Sequence, residues 1–343
     1  MPLELYFFPL EGKPVSGEVK EAVLEYLRSK GDVNRIESRG KGIYMYENSN
    51  TGVTFEVHLF NSMVEHGSPA PHGDGGIRGA LSGLQPFMGF FLDYGRPPWY
   101  GWEIRVILKV IFNTYPFKVY LTNISGIISE QFQEVGPYYS EEEIFQLWTT
   151  LNRLAWLALA EAGQFYEKLV FIEDERLFPV WSWYFHHPSY LSVVSKIKKD
   201  VYHELPRLSV HLPSRQVVII GGLPLNKNTI LPDAVEAFVL GYERRWLLFW
   251  KRWRIITCCP RSVLPESVRK HIIEIEDHIP AKLYQAPRRI RVESEVSIPP
   301  CFQLDEMKSV DPSFVVDFEF TEEERRQARE ILRHFLENHR RQS

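Results

Sequence analysis

The residues best suited to metal chemistry lie in a glycine-rich stretch of the N-terminal half. His66, His72 and Asp74 are close together there, with His58 and Glu65 shortly before them. A metal site needs three or four converging ligands, two of which are usually fixed on one helix or strand. These residues match no established metal-binding spacing, so a surface loop with incidental histidines is the preferred interpretation. A metal-dependent hydrolase or nuclease that uses His66, His72 and Asp74 is kept as an alternative hypothesis.

The segment from 244 to 254 has the most unusual composition in the chain. It contains five basic residues, four aromatic residues and no acidic residue. Arginine and tryptophan are enriched where binding energy concentrates at protein interfaces, and the same mixture can stack on nucleic-acid bases or lie at a membrane surface. A hairpin with its aromatic side chains inward and its charges outward accounts for the pattern equally well. The candidate binding residues are Arg244, Arg245, Trp246, Trp250, Lys251, Arg252, Trp253 and Arg254.

The sequence contains no known signature of a catalytic nucleophile or a phosphate-binding loop. It has no Gly-x-Ser-x-Gly elbow, and Cys258 and Cys259 follow a strand pattern, as inert buried thiols do. Gly221 and Gly222 follow an apolar run, but Pro224 prevents a helix from starting there, so a strand that ends in a turn is the preferred interpretation. We therefore lean towards a protein that is not an enzyme, and we predict no cofactor.

Length and charge limit the classes of protein and partner. A chain of 343 residues is expected to form two modules, because single cores stop growing at about 250 residues. A net charge of −4 gives no general attraction to nucleic acid or anionic lipid. The three cysteines and the lack of a signal-peptide pattern lead us to expect a cytoplasmic protein. No apolar stretch approaches the length of a spanning helix, so integral membrane association is not expected.

The first 135 residues are predicted to form an α+β module. Hydrophobic patterns predict strands at 3–8, 43–46, 53–59, 87–92 and 117–121 and helices at 19–27 and 102–112. The resulting order, β-α-β-β-β-α-β, resembles a split βαβ (ferredoxin-like) sandwich with one additional strand.

The remainder is predicted to contain a linking helix and a second module. Residues 136–165 read as a buried connecting helix that begins with a capping box at Ser140. Residues 166–343 are predicted to form a C-terminal α+β module of short strands, ending in an amphipathic helix after a second capping box at Thr321. The aromatic stretch 180–190 is predicted to be a strand.

These patterns predict an α+β protein built from two modules of antiparallel or mixed sheet packed with helices. The favoured function is that of a non-enzymatic protein-binding or adaptor protein that acts through the Arg/Trp-rich segment. The expected partner is therefore another protein. A second alternative, next to the metal-dependent enzyme, is a nucleic-acid-binding protein that uses the same segment as a local basic patch.

Overall fold

The computed structural model divides the chain into two compact units, residues 1–167 with 320–343 and residues 168–319. The boundaries predicted at 135 and 165 stay a prediction. The described residues are 3–9, 16–36, 42–60, 86–115, 117–122, 140–163, 165–246, 250–275, 279–287, 302–327, 329–330 and 333.

The first unit contains six strands and three long helices in its described part. The strands are β1 (Leu3–Pro9), β2 (Asp32–Arg35), β3 (Ile43–Asn48), β4 (Val53–Leu59), β5 (Met88–Leu92) and β6 (Phe117–Thr122). The helices are α1 (Gly17–Arg28), α2 (Pro98–Thr114) and α3 (Glu141–Gly163). Residues 322–327 are also helical.

The six strands form one antiparallel sheet in the order β2-β3-β4-β5-β1-β6. Because β1 is antiparallel to both of its neighbours, β5 and β6 run parallel on either side of it and are joined through α2. That connection has the split βαβ arrangement. The α+β class predicted from the sequence is confirmed, and the wider ferredoxin-like resemblance stays a prediction.

Buried side chains at alternate positions along the strands form much of the core of this unit. Leu3, Leu5 and Phe7 of β1 are fully buried, as expected for every second residue of a strand that is covered on one face. Helix α1 adds an apolar stripe that includes Leu24 and Leu27 to the same cluster, because residues three or four apart share one helical face. The same packing places α2 and α3 on this core.

Helices α2 and α3 approach closely at a glycine. A Cβ atom on Gly101 would lie 2.5 Å from the ring of Trp148, and the Trp148 indole N–H donates a 3.1 Å hydrogen bond to the carbonyl of Asp93. The predicted capping box at the start of α3 is present, because the Glu143 carboxylate accepts from the Ser140 backbone N–H at 2.8 Å.

The second unit contains ten strands and one long helix in its described part. The helices are α4 (Asp174–Ile197) and the short α5 (Glu266–Arg269). The strands are β7 (Val170–Phe171), β8 (Arg207–His211), β9 (Gln216–Pro224), β10 (Thr229–Pro232), β11 (Ala237–Trp246), β12 (Trp250–Pro260), β13 (Ile272–Glu274), β14 (Ala281–Tyr284), β15 (Met307–Ser309) and β16 (Val315–Val316).

These strands form three sheets. The largest has the order β12-β11-β9-β8-β15, the second has the order β10-β14-β13, and β7 pairs with β16. One apolar cluster joins Phe238 and Leu240 of the large sheet to Tyr284 of the second sheet. Another joins Trp183 of α4 to Ile230 of the second sheet. The second sheet therefore contributes side chains to both clusters.

A forked ion pair ties α4 to the large sheet. The guanidinium of Arg176 donates two 2.8 Å hydrogen bonds to the carboxylate of Glu236 and a 2.7 Å bond to the carbonyl of Val217. Glu236 in turn accepts a 3.1 Å bond from the backbone N–H of Ile219. Arginine suits this position because its planar fork matches a carboxylate.

Three details of the fold differ from the sequence prediction, two in the second unit and one in the first. The stretch 180–190 is helical and lies within α4, although Pro179 and Pro188 are inside that helix. Burial of large side chains such as Trp183 outweighs the helix-breaking tendency of proline in this segment. Gly221 and Gly222 lie inside β9 rather than in a turn after it. Strand β2 has a polar sequence and was not predicted.

Candidate functional site

The Arg/Trp-rich segment forms the end of a β-hairpin. Strands β11 and β12 pair so that Arg244 is opposite Arg252, Arg245 is opposite Lys251, and Trp246 is opposite Trp250. Trp253 and Arg254 continue the same ladder opposite residues 243 and 242. The structure describes the backbone of these candidate residues, and residues 247–249 at the tip lie outside its described part.

This end of the hairpin extends beyond the neighbouring strand β9. Strand β9 pairs with β11 only as far as Pro224, which is opposite Gly241. The register between β11 and β12 also shifts between Leu240 and Gly241, and such bulges increase strand twist. Within the described sheet, β12 is the strand that pairs with 242–246. We call residues 242–246 and 250–254 the cationic ribbon.

The pairing of the cationic ribbon places like charges opposite each other. Arg244 with Arg252 and Arg245 with Lys251 are consecutive cross-strand pairs, and directly opposed like charges destabilise a strand pair. The whole chain has more acidic than basic residues, 44 against 40, whereas the ribbon has five basic residues and one acidic residue. The ribbon is therefore a local concentration of basic residues in a chain of net negative charge.

The alternative metal hypothesis concerns residues that follow β4 in the sequence. His66, His72 and Asp74 lie outside the described residues. His58 lies on β4, and its Nε2 is 3.0 Å from the carboxylate of Glu56, which stands two residues earlier on the same strand face. Among the described residues, no group of three or more histidine, cysteine or carboxylate side chains is arranged to hold a metal ion.

A cleft on one face of the large sheet was not predicted from the sequence. It has a volume of about 520 Å³, within the usual range of about 300–1,000 Å³ for small-molecule sites. Ile220 and Val239 from β9 and β11 and Met307 from β15 give it an apolar lining. Glu204 and Arg207 contribute opposite charges to the same cleft.

The charged part of this cleft lies against Gly222. A Cβ atom there would meet the carboxylate of Glu204, which would then have to shift. That carboxylate accepts a 3.1 Å hydrogen bond from the hydroxyl of Tyr202 and another from the guanidinium of Arg207. The glycine pair was the available sequence signal, because glycine inside a strand often marks the close approach of another group.

A serine, a histidine and a carboxylate meet at the turn between β8 and β9. Nδ1 of His211 is 2.7 Å from the hydroxyl of Ser214, and Nε2 of His211 is 3.5 Å from the carboxylate of Glu306. Nucleophilic catalysis also uses such a set. Here the Ser214 hydroxyl also accepts from the Gln216 backbone N–H at 3.4 Å, and none of the set lines the cleft. We therefore assign these contacts to closing the turn.

Two groups in the second unit have shifted pKa values. Partial burial, followed by the charge of the hydrogen-bonded Asp317, raises the pKa of Asp174 to about 6. Burial and then the neighbouring His203 lower the pKa of His187, whose ring centroid lies 5.1 Å from that of His203. His187 is thus a core histidine.

Comparison with known proteins identifies no relative of this chain. No protein-family model, curated protein sequence or solved structure matches it. In the part of the chain that the structure describes, every helix is too short or too polar to cross a membrane.

Proposed function

We propose that this chain is a protein-binding or adaptor protein, and that the cationic ribbon binds an acidic surface of a partner protein. The observation that carries the proposal is the register of the hairpin, in which Arg244 is opposite Arg252 and Arg245 is opposite Lys251. Like charges at directly opposed positions of a strand ladder destabilise the pairing. An acidic partner offsets this destabilisation, so the pairs favour the bound state.

The edges of the ribbon also support this proposal. Beyond Gly241, where the pairing with β9 ends, β11 is paired with β12 in the described sheet, and a two-stranded ribbon of this kind is a place where a partner can add a strand. On the outer side of β12, the described residues contribute one isolated bridge, between Cys258 and Phe302. Tryptophan next to arginine is the composition typical of interface hot spots.

The partner should be identified before the ribbon is altered. Cross-linking the full chain in its native host, followed by mass spectrometry, provides a candidate protein, which is then purified for affinity measurements. Trp250→Ala is expected to weaken binding by about 2 kcal/mol. A combined alanine variant of Arg244, Arg245, Lys251 and Arg252 is expected to weaken it further and to reduce its salt dependence.

A matched control variant separates the effect of the ribbon on binding from the effect of total charge. Lys196, Lys198, Lys199 and Arg215 are exposed basic residues of the same unit, and their combined alanine variant removes the same charge elsewhere. It is expected to retain partner affinity. Equal losses in the two quadruple variants would mean that net charge governs binding. Unfolding of both Trp250→Ala and Trp253→Ala, with intact partner capture by the ribbon quadruple variant, would show that these tryptophans are structural.

A further inference from the structure

The cleft on the large sheet has one charged group with unused hydrogen-bonding capacity. An arginine side chain has five N–H donors. In the described part of the chain, Arg207 donates to Glu204 alone, and its side chain is 70% exposed. Its remaining donors are therefore available to a ligand at the mouth of the cleft.

Glu204 is less available to a ligand than Arg207. Its two carboxylate oxygens accept from Arg207 and from the hydroxyl of Tyr202, and its side chain is 23% exposed. The carboxylate of the cleft is thus already engaged by two donors, whereas the guanidinium keeps donors for a ligand, so the cleft offers more to an anion than to a cation.

The rest of the lining suits an aliphatic group. Ile220, Val239 and Met307 supply hydrocarbon and thioether surface, and Leu304 is a lining residue that stays 36% exposed. Burial of apolar ligand surface against such side chains provides affinity, while a few placed polar groups determine orientation.

We propose that this cleft binds a small carboxylate with an aliphatic body, with Arg207 contacting the carboxylate and Ile220, Val239 and Met307 contacting the aliphatic chain. The carboxylate of Glu204 lies against Gly222, where any side chain would force it to shift. The proposal is independent of the cationic ribbon and of its partner.

Octanoate is the probe that tests the charge requirement. Isothermal titration of the full chain is expected to give saturable one-to-one binding of octanoate. Octanol and octylammonium have the same aliphatic body, and each is expected to bind at least about 10-fold more weakly because neither offers an anion to Arg207. Equal binding of octanol, or no saturable octanoate binding up to about 10 mM, would overturn the proposal.

Variants locate the binding in the cleft. Arg207→Gln is expected to reduce octanoate affinity at least about 10-fold, and Val239→Phe to abolish binding by filling the cleft. Arg215→Gln, at an exposed arginine outside the cleft, is the matched control and is expected to retain affinity. Glu204→Gln removes the competing anion and is expected to retain or increase affinity. A loss in Glu204→Gln, or equal losses in Arg207→Gln and Arg215→Gln, would contradict the assignment.

Discussion

The hydroxyl of Tyr46 donates a 2.7 Å hydrogen bond to the carboxyl group of Glu103, which is fully buried in the first unit. Asn48 donates a second bond, of 3.0 Å, to the same oxygen. The carboxyl group therefore depends on polar groups of β3 for the hydrogen bonds that water would otherwise provide. Burial and the neighbouring Glu103 raise the pKa of Tyr46, which keeps its hydroxyl protonated as the donor.

Removal of the Tyr46 hydroxyl is expected to destabilise the protein. Tyr46→Phe keeps the ring and removes one bond to a buried carboxyl group, so the free energy of unfolding should fall by about 1–3 kcal/mol. Tyr44→Phe, on the same strand and only partly buried, is the matched control. Urea denaturation checks both variants. Equal midpoints for Tyr46→Phe and the wild type would show that the bond does not contribute to stability.

The Gly101 contact predicts an unfavourable glycine-to-alanine substitution. In an exposed helix this change is stabilising by about 1 kcal/mol, but a Cβ atom at Gly101 would press on the Trp148 ring. We expect Gly101→Ala to lower the free energy of unfolding by about 1–3 kcal/mol. Lys109→Ala, at an exposed position of the same helix, should have little effect. A more stable Gly101→Ala variant would contradict this packing of α2 against α3.

The Arg176–Glu236 pair predicts that lysine cannot replace arginine. Arg176→Lys keeps the charge but loses the fork that contacts both carboxylate oxygens and the Val217 carbonyl. The pair is partly exposed, so screening limits the loss, and we expect about 1 kcal/mol. Thermal denaturation measures this loss, with Arg215→Lys as the control variant. Equal melting temperatures for the two variants would exclude a role for the fork in stability.

The Asp174–Asp317 pair predicts a pH dependence of stability. The folded-state pKa of Asp174, about 6, lies above its ordinary value of 3.8. The folded state therefore binds more protons, and this contribution to stability is present below about pH 4 and is lost as pH rises through about 6. Relative to Asp174→Asn, the wild type should become less stable over that interval. Urea denaturation at several pH values measures the difference.

A second variant attributes this effect to the pair. Asp317→Asn removes the neighbouring charge, which is one cause of the raised pKa, so it should shift the transition of Asp174 to lower pH. A carboxyl-detected NMR titration follows the Asp174 side chain directly. An Asp174 transition that is the same in Asp317→Asn and the wild type would mean that Asp317 does not contribute to the raised pKa.

The sequence predicts the elements whose patterns are strong. The alternation of β4 and the capping boxes at Ser140 and Thr321 are borne out, because these signals depend on local geometry. Strand β2 has no apolar alternation to reveal it, and the helical character of α4 depends on tertiary burial around its two prolines.

The candidate sites depend on contacts that local patterns do not encode. The composition of 244–254 identified the segment, but the opposition of Arg244 to Arg252 depends on the register shift beside Gly241. In the cleft, the carboxylate of Glu204 lies next to Gly222 of β9, a meeting of residues from separate parts of the chain. The glycine pair was visible in the sequence, whereas the carboxylate above it was not.

The most direct test of the cationic ribbon is its choice between an acidic polypeptide and a nucleic acid. Tryptophan fluorescence of the full chain is titrated with poly-glutamate and with a DNA duplex at about 50 mM and about 200 mM salt. We predict that poly-glutamate binds more tightly than DNA at both salt concentrations, and that the ribbon quadruple alanine variant loses at least about 10-fold in affinity for it. Tighter binding of DNA with a steep loss at higher salt, or no binding of poly-glutamate, would contradict the proposal that the ribbon binds an acidic protein.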